Sequence, residues 1–277
     1  MPSADVAAMP WFDEVLLQAT TYMVLGLHSL PLPALFVAWL RSSMHEFNEP
    51  FVTAWQLVAG ADARLAGIVL LSLRVSLAAT LIACVAGMPI GALLAVGRFP
   101  GRRVLIVLAN GLMGLPPVVV GLLVYLLLSR AGPLGAWGLL FSPGAMVIAQ
   151  AILVTPIVAA LTRQVIADEW TEYREQLRSL GASRPRAAAT LLWDGRFSLS
   201  TAALAGFGRA IAEVGAVMIV GGNIDGVTRV MTTTIALETS KGDLPLALAL
   251  GFILISVVLS INAVAYALRG WAERHWG

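Results

Sequence analysis

The stretch IVLLSLRVSLAATLIACVAGMPIGALLAV, residues 68–96, decides the fold class. It carries a single charge, Arg74. At the helical rise of about 1.5 Å per residue it is long enough to cross the roughly 30 Å of bilayer hydrocarbon. It lacks the alternation of apolar and polar residues that marks a membrane β-strand, so a barrel is excluded. Working outward, runs of the same kind recur at 104–129, 141–162, 197–222 and 244–268, with a further candidate at 15–40. The whole chain agrees: of 277 residues 58% are hydrophobic and 12% charged, with mean hydropathy +0.84. Soluble domains are roughly 25% charged. The expected fold is an all-α polytopic membrane protein, five core helices with an extra amino-terminal helix as one reading of the beginning.

The basic residues set the orientation. Arg98, Arg102 and Arg103 follow the second candidate, Arg163 to Arg196 the fourth, and Arg269 and Arg274 the last, which makes those sides cytoplasmic. The alternate loops, with Arg64, Arg130, Arg229 and Lys241 among Asp62, Asp225, Glu238 and Asp243, face outward. The core thus begins outside and ends inside. The 15–40 run fits poorly, because crossing there puts Asp13 and Glu14 inside and Arg41 outside. An extra helix, a signal sequence without its basic start, and translated sequence ahead of a true start at Met44 compete for residues 1–50. A net charge of +2 points to no nucleic-acid partner.

Catalytic signatures are missing. There is no phosphate-binding G-x-x-x-x-G-K-[ST], no H-E-x-x-H, C-x-x-C or G-x-S-x-G, and His28, His45 and His275 have no ligand spacing. No metal site and no cofactor of its own are expected. Cys84, the one cysteine, excludes an intrachain disulfide and reads as a packing residue.

The most informative polar stretch is 163–196. Val165, Ile166, Trp170, Tyr173, Leu177 and Leu180 recur at helical spacing, Gly181 stands where a left-handed residue closes a helix, and Ser183 with Pro185 opens another. Two short helices around a glycine turn, lying at the membrane surface, are expected.

Within it, EQLRSLGAS resembles the E-A-A-x-x-x-G motif of ABC importer permease subunits. Glu175 and Gly181 match, Gln176 and Leu177 replace the alanines, Ala182 and Ser183 follow the glycine, and Trp193 and Asp194 replace a later leucine and proline. SLRVS at 72–76 and GLPPVVVG at 114–121 resemble the molybdate and tungstate permeases. GFGRAIAEVGAVMIVGGNI at 206–224, followed by TRVMTTTIALET and KGDL, is closest to the tungstate subgroup. The resemblance spans roughly residues 55–268. It implies a type I ABC importer transmembrane domain over 51–277, acting as a homodimer. A cytoplasmic ATPase dimer, which binds ATP and Mg, would dock on the coupling loop 163–196. An oxyanion-binding protein would deliver tungstate, or alternatively molybdate or another anion, from outside.

Residue chemistry suggests further sites. Pro116 and Pro117 must break a membrane helix, either to line a pathway or to fit a tilted helix into the bundle. Arg209 and Glu213, four apart on one helix face, suit a pathway or gate, or an ion pair that fixes packing. Arg74 reads as snorkelling to an interface. Gly87 and Gly91 let helices approach closely. The outward stretch 225–243, with Thr232, Thr233, Thr234 and Glu238, reads as a surface for an external partner or a solvated loop, with oxyanion binding by the hydroxyls as a lesser reading. An ATP-independent secondary transporter is the competing class; an intramembrane enzyme lacks a catalytic constellation.

Overall fold

The computed structural model describes residues 51–56, 60 and 63–276, and among them all regular structure is helical. The candidate helix at 15–40 and Met44 lie outside the described residues. The helices are α1 (Ala63–Val96), α2 (Arg102–Leu112), α3 (Pro117–Leu128), α4 (Pro143–Ser179), α5 (Arg184–Asp194), α6 (Arg196–Ile211), α7 (Gly215–Gly221), α8 (Met231–Lys241) and α9 (Leu244–Trp276), with a 3₁₀ turn at Gly135–Trp137. By length and composition α1, α4 and α9 can each cross a membrane. The pairs α2–α3 and α6–α7 supply two more crossings if each bent pair counts as one, giving the five core spans expected.

Three boundaries depart from expectation. The run 104–129 is not one straight helix but turns through 103° between α2 and α3, and the run 197–222 turns through 58° between α6 and α7. The helix read at 163–180 is not a separate surface element. It is the far end of α4, which continues unbroken for 37 residues, about 55 Å at the helical rise. About 20 residues suffice to cross the hydrocarbon, so the part from Arg163 onward, with its charges, projects beyond the span.

The seam between α1 and α4 is the backbone of the bundle. A Cβ at Gly91 would sit 2.4 Å from the Ala159 carbonyl oxygen and 2.8 Å from Thr162 Cβ, and one at Gly87 would sit 2.9 Å from the Thr155 carbonyl oxygen. Only glycine permits that approach, as the G-x-x-x-G spacing suggested. Cys84 packs beside Ala83, Val154, Val158 and Ala210 behind the seam. The opposite side of α1 exposes Leu77, Leu81, Ile82 and Val85, and α9 exposes Ile255, Leu259 and Val264. Such faces suit lipid, where apolar surface needs no covering. Arg102 closes α1 from outside the helix: its Nε and Nη2 donate to the Leu94 and Ala95 carbonyls at 2.7 and 3.1 Å, a cation where the helix dipole favours one.

Candidate functional site

Two places gather the polar chemistry: the paired helix breaks within the apolar bundle, and the projecting end of α4.

The first break follows from covalent structure. Pro116 and Pro117 have no N–H, and three short turns precede them, from Met113, Gly114 and Leu115 N–H to the Asn110, Gly111 and Leu112 carbonyls. The carbonyls of Met113, Gly114 and Leu115 accept no bond among the described residues. Gly111 through Gly114 are exposed, as is Pro116. The second break, at 212–214, lies directly alongside. A Cβ on Gly215 would meet Val118 Cγ2 at 2.9 Å and Glu213 Oε1 at 3.7 Å, and one on Gly121 would meet Ala216 Cα at 2.7 Å. Pro116, Pro117, Arg209 and Glu213 are therefore brought to one locality, by the close crossing of α3 and α7.

Several groups freed at the second break have partners from other helices or nearby in the chain. Ala212 and Glu213 N–H donate to the Gly208 and Ala210 carbonyls, at 3.3 and 3.2 Å. Gln150 Nε2 on α4 donates to the same Ala210 carbonyl at 2.9 Å, and Thr232 Oγ1 on α8 donates to the Glu213 carbonyl at 2.8 Å. The Glu213 carboxylate accepts from the Ala216 N–H at 3.0 Å through Oε1 and from Arg209 Nη1 at 2.5 Å through Oε2. A buried carboxylate with both oxygens occupied satisfies its bonding needs and neutralises its charge.

The threonine run differs from its reading as a loop surface. Residues 231–241 form α8, and Thr232, Thr233, Thr234 and Glu238 are buried. Besides the Thr232 contact, Thr233 Oγ1 donates to Asn223 Oδ1 at 2.9 Å and Thr234 Oγ1 donates to the Val230 carbonyl at 2.7 Å. Ser72 Oγ accepts the Met231 N–H at 2.8 Å, tying α8 to α1. The hydroxyls hold the fold together by donating to groups of this chain, and Thr234 also lines the groove beside Glu238. Glu238 pairs with Lys241 at 3.0 Å in a groove of about 460 Å³ that Arg64 and Arg229 also line. Asp225 bridges those two arginines, at 2.6 and 3.1 Å.

Sequence reasoning missed Gln150 and the tie made by Ser72, and it singled out Thr232 for a different role. Gln150 had a signal: a lone amide within an apolar run that must find a partner inside the bundle.

At the other place, α4 ends as the glycine predicted. Gly181 has φ +70°, its N–H donates to the Arg178 carbonyl at 3.0 Å, and the Ala182 N–H reaches back to the Leu177 carbonyl at 2.9 Å. This is the Schellman arrangement, with Leu177 and Ala182 also in apolar contact with the cluster of Ile166, Leu191 and Leu199. Ser183 stands at the N-cap of α5 without a side-chain cap bond, and Pro185 lies in its first turn. Glu175, Gln176, Gly181 and Ser183 are exposed, and Leu180 presents an apolar side chain that is 81% exposed at the tip. Between this end of α4 and α5 lies a groove of about 490 Å³ lined by Glu169, Glu172, Tyr173, Leu177, Leu191 and Asp194 among others. Burial, then the neighbouring Asp194 and Glu172 carboxylates, hold the Glu169 carboxyl above the usual carboxylate range. No cluster of His, Cys, Asp or Glu among the described residues has metal-binding geometry.

Comparison with known proteins places this arrangement among relatives. Residues 87–277 match the family model described as the binding-protein-dependent transport system inner membrane component. The chain is 41% identical to the tungstate uptake system permease protein of Peptoclostridium acidaminophilum, over 82% of this chain and 99% of the relative. It is 39% identical to a probable anion ABC transporter permease protein of Haloferax volcanii, over 74% of this chain and 90% of the relative. A tungstate uptake system permease protein of Campylobacter jejuni is 37% identical over 62% of this chain and 72% of its own length.

Proposed function

Because the chain belongs to the family of inner-membrane components of binding-protein-dependent transport systems, we propose that it is the permease subunit of an ATP-driven oxyanion importer whose substrate is tungstate. The similarity along nearly the whole length of a tungstate uptake permease carries the substrate assignment. Residues 51–277 form the transmembrane domain and residues 1–50 an extension of it. The basic end faces the cytoplasm, the carboxyl terminus with it, in a bacterial or archaeal inner membrane.

The capped end of α4 is the docking element for a separate ATPase dimer, which binds ATP and Mg; this chain hydrolyses nothing itself. A rigid helix that ends in an exposed Leu180 beside a left-handed glycine presents a shaped knob, and the adjoining acidic groove offers charge for a basic partner surface. Glu175, Gln176, Leu177, Gly181, Ala182 and Ser183 form this element. A binding protein brings the anion to the opposite face, and two copies of the chain enclose the pathway between them. The first break supports that last step. Carbonyls without hydrogen bonds are untenable against hydrocarbon, so Met113 to Leu115 face water or a second protein surface.

The test is ATP hydrolysis by the permease purified with its ATPase, on addition of its binding protein loaded with tungstate, molybdate or sulfate in turn. Stimulation by the tungstate-loaded form alone is expected. Stimulation by molybdate alone reassigns the substrate, and transport by this chain without any ATPase refutes the importer.

A further inference from the structure

Arg209 is held at one end only. Its Nη1 bonds Glu213, no other described residue bonds its guanidinium, and 31% of its side chain is exposed. Glu213 is the opposite, 2% exposed with both oxygens engaged. A cation whose whole task is to neutralise a buried carboxylate is best buried with it, because a guanidinium edge left against hydrocarbon is costly. The free edge of Arg209 therefore faces water or protein.

The surface around it differs from the rest of the bundle. On that side of α6 the exposed residues are Thr201, Ala205 and Ala212, and nothing lies within 4 Å of the space above Gly208. The lipid-suited faces of α1 and α9 carry leucine, isoleucine and valine instead. Arg209 lies about 20 Å along α6 from Arg196 at the basic end, well inside the apolar zone, on the helix that leads into the second break.

We propose that Arg209 is a direct contact for a tetrahedral oxyanion in transit. The planar guanidinium offers Nε and Nη2 as a two-pronged donor that matches two oxygens of such an anion. Glu213, locked by the Ala216 N–H, fixes the guanidinium plane through Nη1 and cancels its charge in part. That keeps the contact weak enough for release, the condition for conduction through any pathway. The inference rests on the importer reading above and adds a residue and a ligand chemistry to it.

The experiment uses the complete complex in proteoliposomes with its binding protein, following labelled tungstate uptake and ATP hydrolysis together. Ala205→Glu puts a carboxylate four residues before Arg209, where it occupies the free edge without touching Glu213; Ala205→Gln is the control of equal size. Arg209→Gln with Glu213→Gln removes the donor while leaving no unpaired charge. Both A205E against A205Q, and the double variant against the unaltered complex, are expected to move about tenfold less tungstate per ATP, the loss of one charge-assisted contact. Equal uptake by A205E and A205Q overturns the proposal, and so does a double variant that transports normally, which would reduce Arg209 to a counter-ion. If the unaltered complex shows no ATP-dependent uptake, the importer reading itself fails and takes this contact with it.

Discussion

Substituting alanine at Gly91 tests the α1–α4 seam. The new Cβ would lie 2.4 Å from the Ala159 carbonyl oxygen, with Thr162 Cβ at 2.8 Å and Arg163 N at 2.9 Å. All but one of these atoms are backbone and none can swing away, so two long helices must part by about 1 Å to restore van der Waals distance. A gap of that size forfeits a quarter to a half of each contact's attraction along the seam, and overpacking of this kind costs about 1–3 kcal/mol. We expect Gly91→Ala near the upper figure, and Gly87→Ala, whose nearest atom is at 2.9 Å, at about 1 kcal/mol. Gly195 is the internal control. Its Cβ would also meet an atom at 2.4 Å, but that atom is Glu169 Oε1, the end of a flexible side chain. Gly195→Ala should therefore stay within about 0.5 kcal/mol of the parent. Gly251→Ala, in open space, should be neutral or gain up to about 1 kcal/mol from helix propensity. Equilibrium unfolding of the four variants in mixed micelles ranks them. A seam variant as stable as the parent, or Gly195→Ala as costly as Gly91→Ala, refutes the reasoning.

A Cβ at Gly181 would meet no atom within 4 Å, so Gly181→Trp should still insert, at the cost of a left-handed strain of about 1–2 kcal/mol. It should nevertheless fail to pull down the ATPase, and normal co-purification would remove α4's tip from the docking role. Thr232→Val strips the hydroxyl from the freed Glu213 carbonyl and should cost about 1–3 kcal/mol, read by the same unfolding assay; an unchanged midpoint would mean that water replaces it. Glu169 gives a pH signature. Its carboxyl is raised in the folded chain, so folding takes up a proton as pH falls toward the ordinary carboxylate range. The projecting segment should then gain stability on acidification from neutrality and lose it as pH rises through the raised value. Hydrogen exchange of residues 169–195 should show this trend, flattened in Glu169→Gln, and an identical trend in both proteins would exclude Glu169 as its source.

The spans were legible because length and apolarity alone decide them, and the break at Pro116 and Pro117 because missing N–H groups do. The second break was not. Residues 212–214 contain no proline, and the turn between α6 and α7 depends on Gln150 and Thr232, which lie far off in sequence and supply the bonds that a continuous helix would have made. The length of α4 was hidden for a different reason: the periodicity of 163–180 was read correctly, but periodicity reports a helical face and not where the helix begins. Thr232, Thr233 and Thr234 misled through composition, since hydroxyls that suit a solvated loop serve equally to bond nearby carbonyls within a buried helix. The Gly181 cap was fully local, and there sequence and structure coincide.

The continuity of α4 has a mechanical consequence. Gly91 presses on Ala159 with no room to slide, so α4 behaves as a lever with its pivot there. The arm toward Leu180 is about 32 Å and the arm toward Gln150 about 14 Å. If docking displaces the tip by about 3 Å, Gln150 shifts by roughly 1.3 Å the other way, scaled by the arm lengths. The Gln150–Ala210 hydrogen bond is 2.9 Å long and does not survive a stretch of that size. One helix, interrupted in its hydrogen bonding only at Pro156, thus links a push at the tip to the latch between α6 and α7, with no loop in between to absorb the stroke.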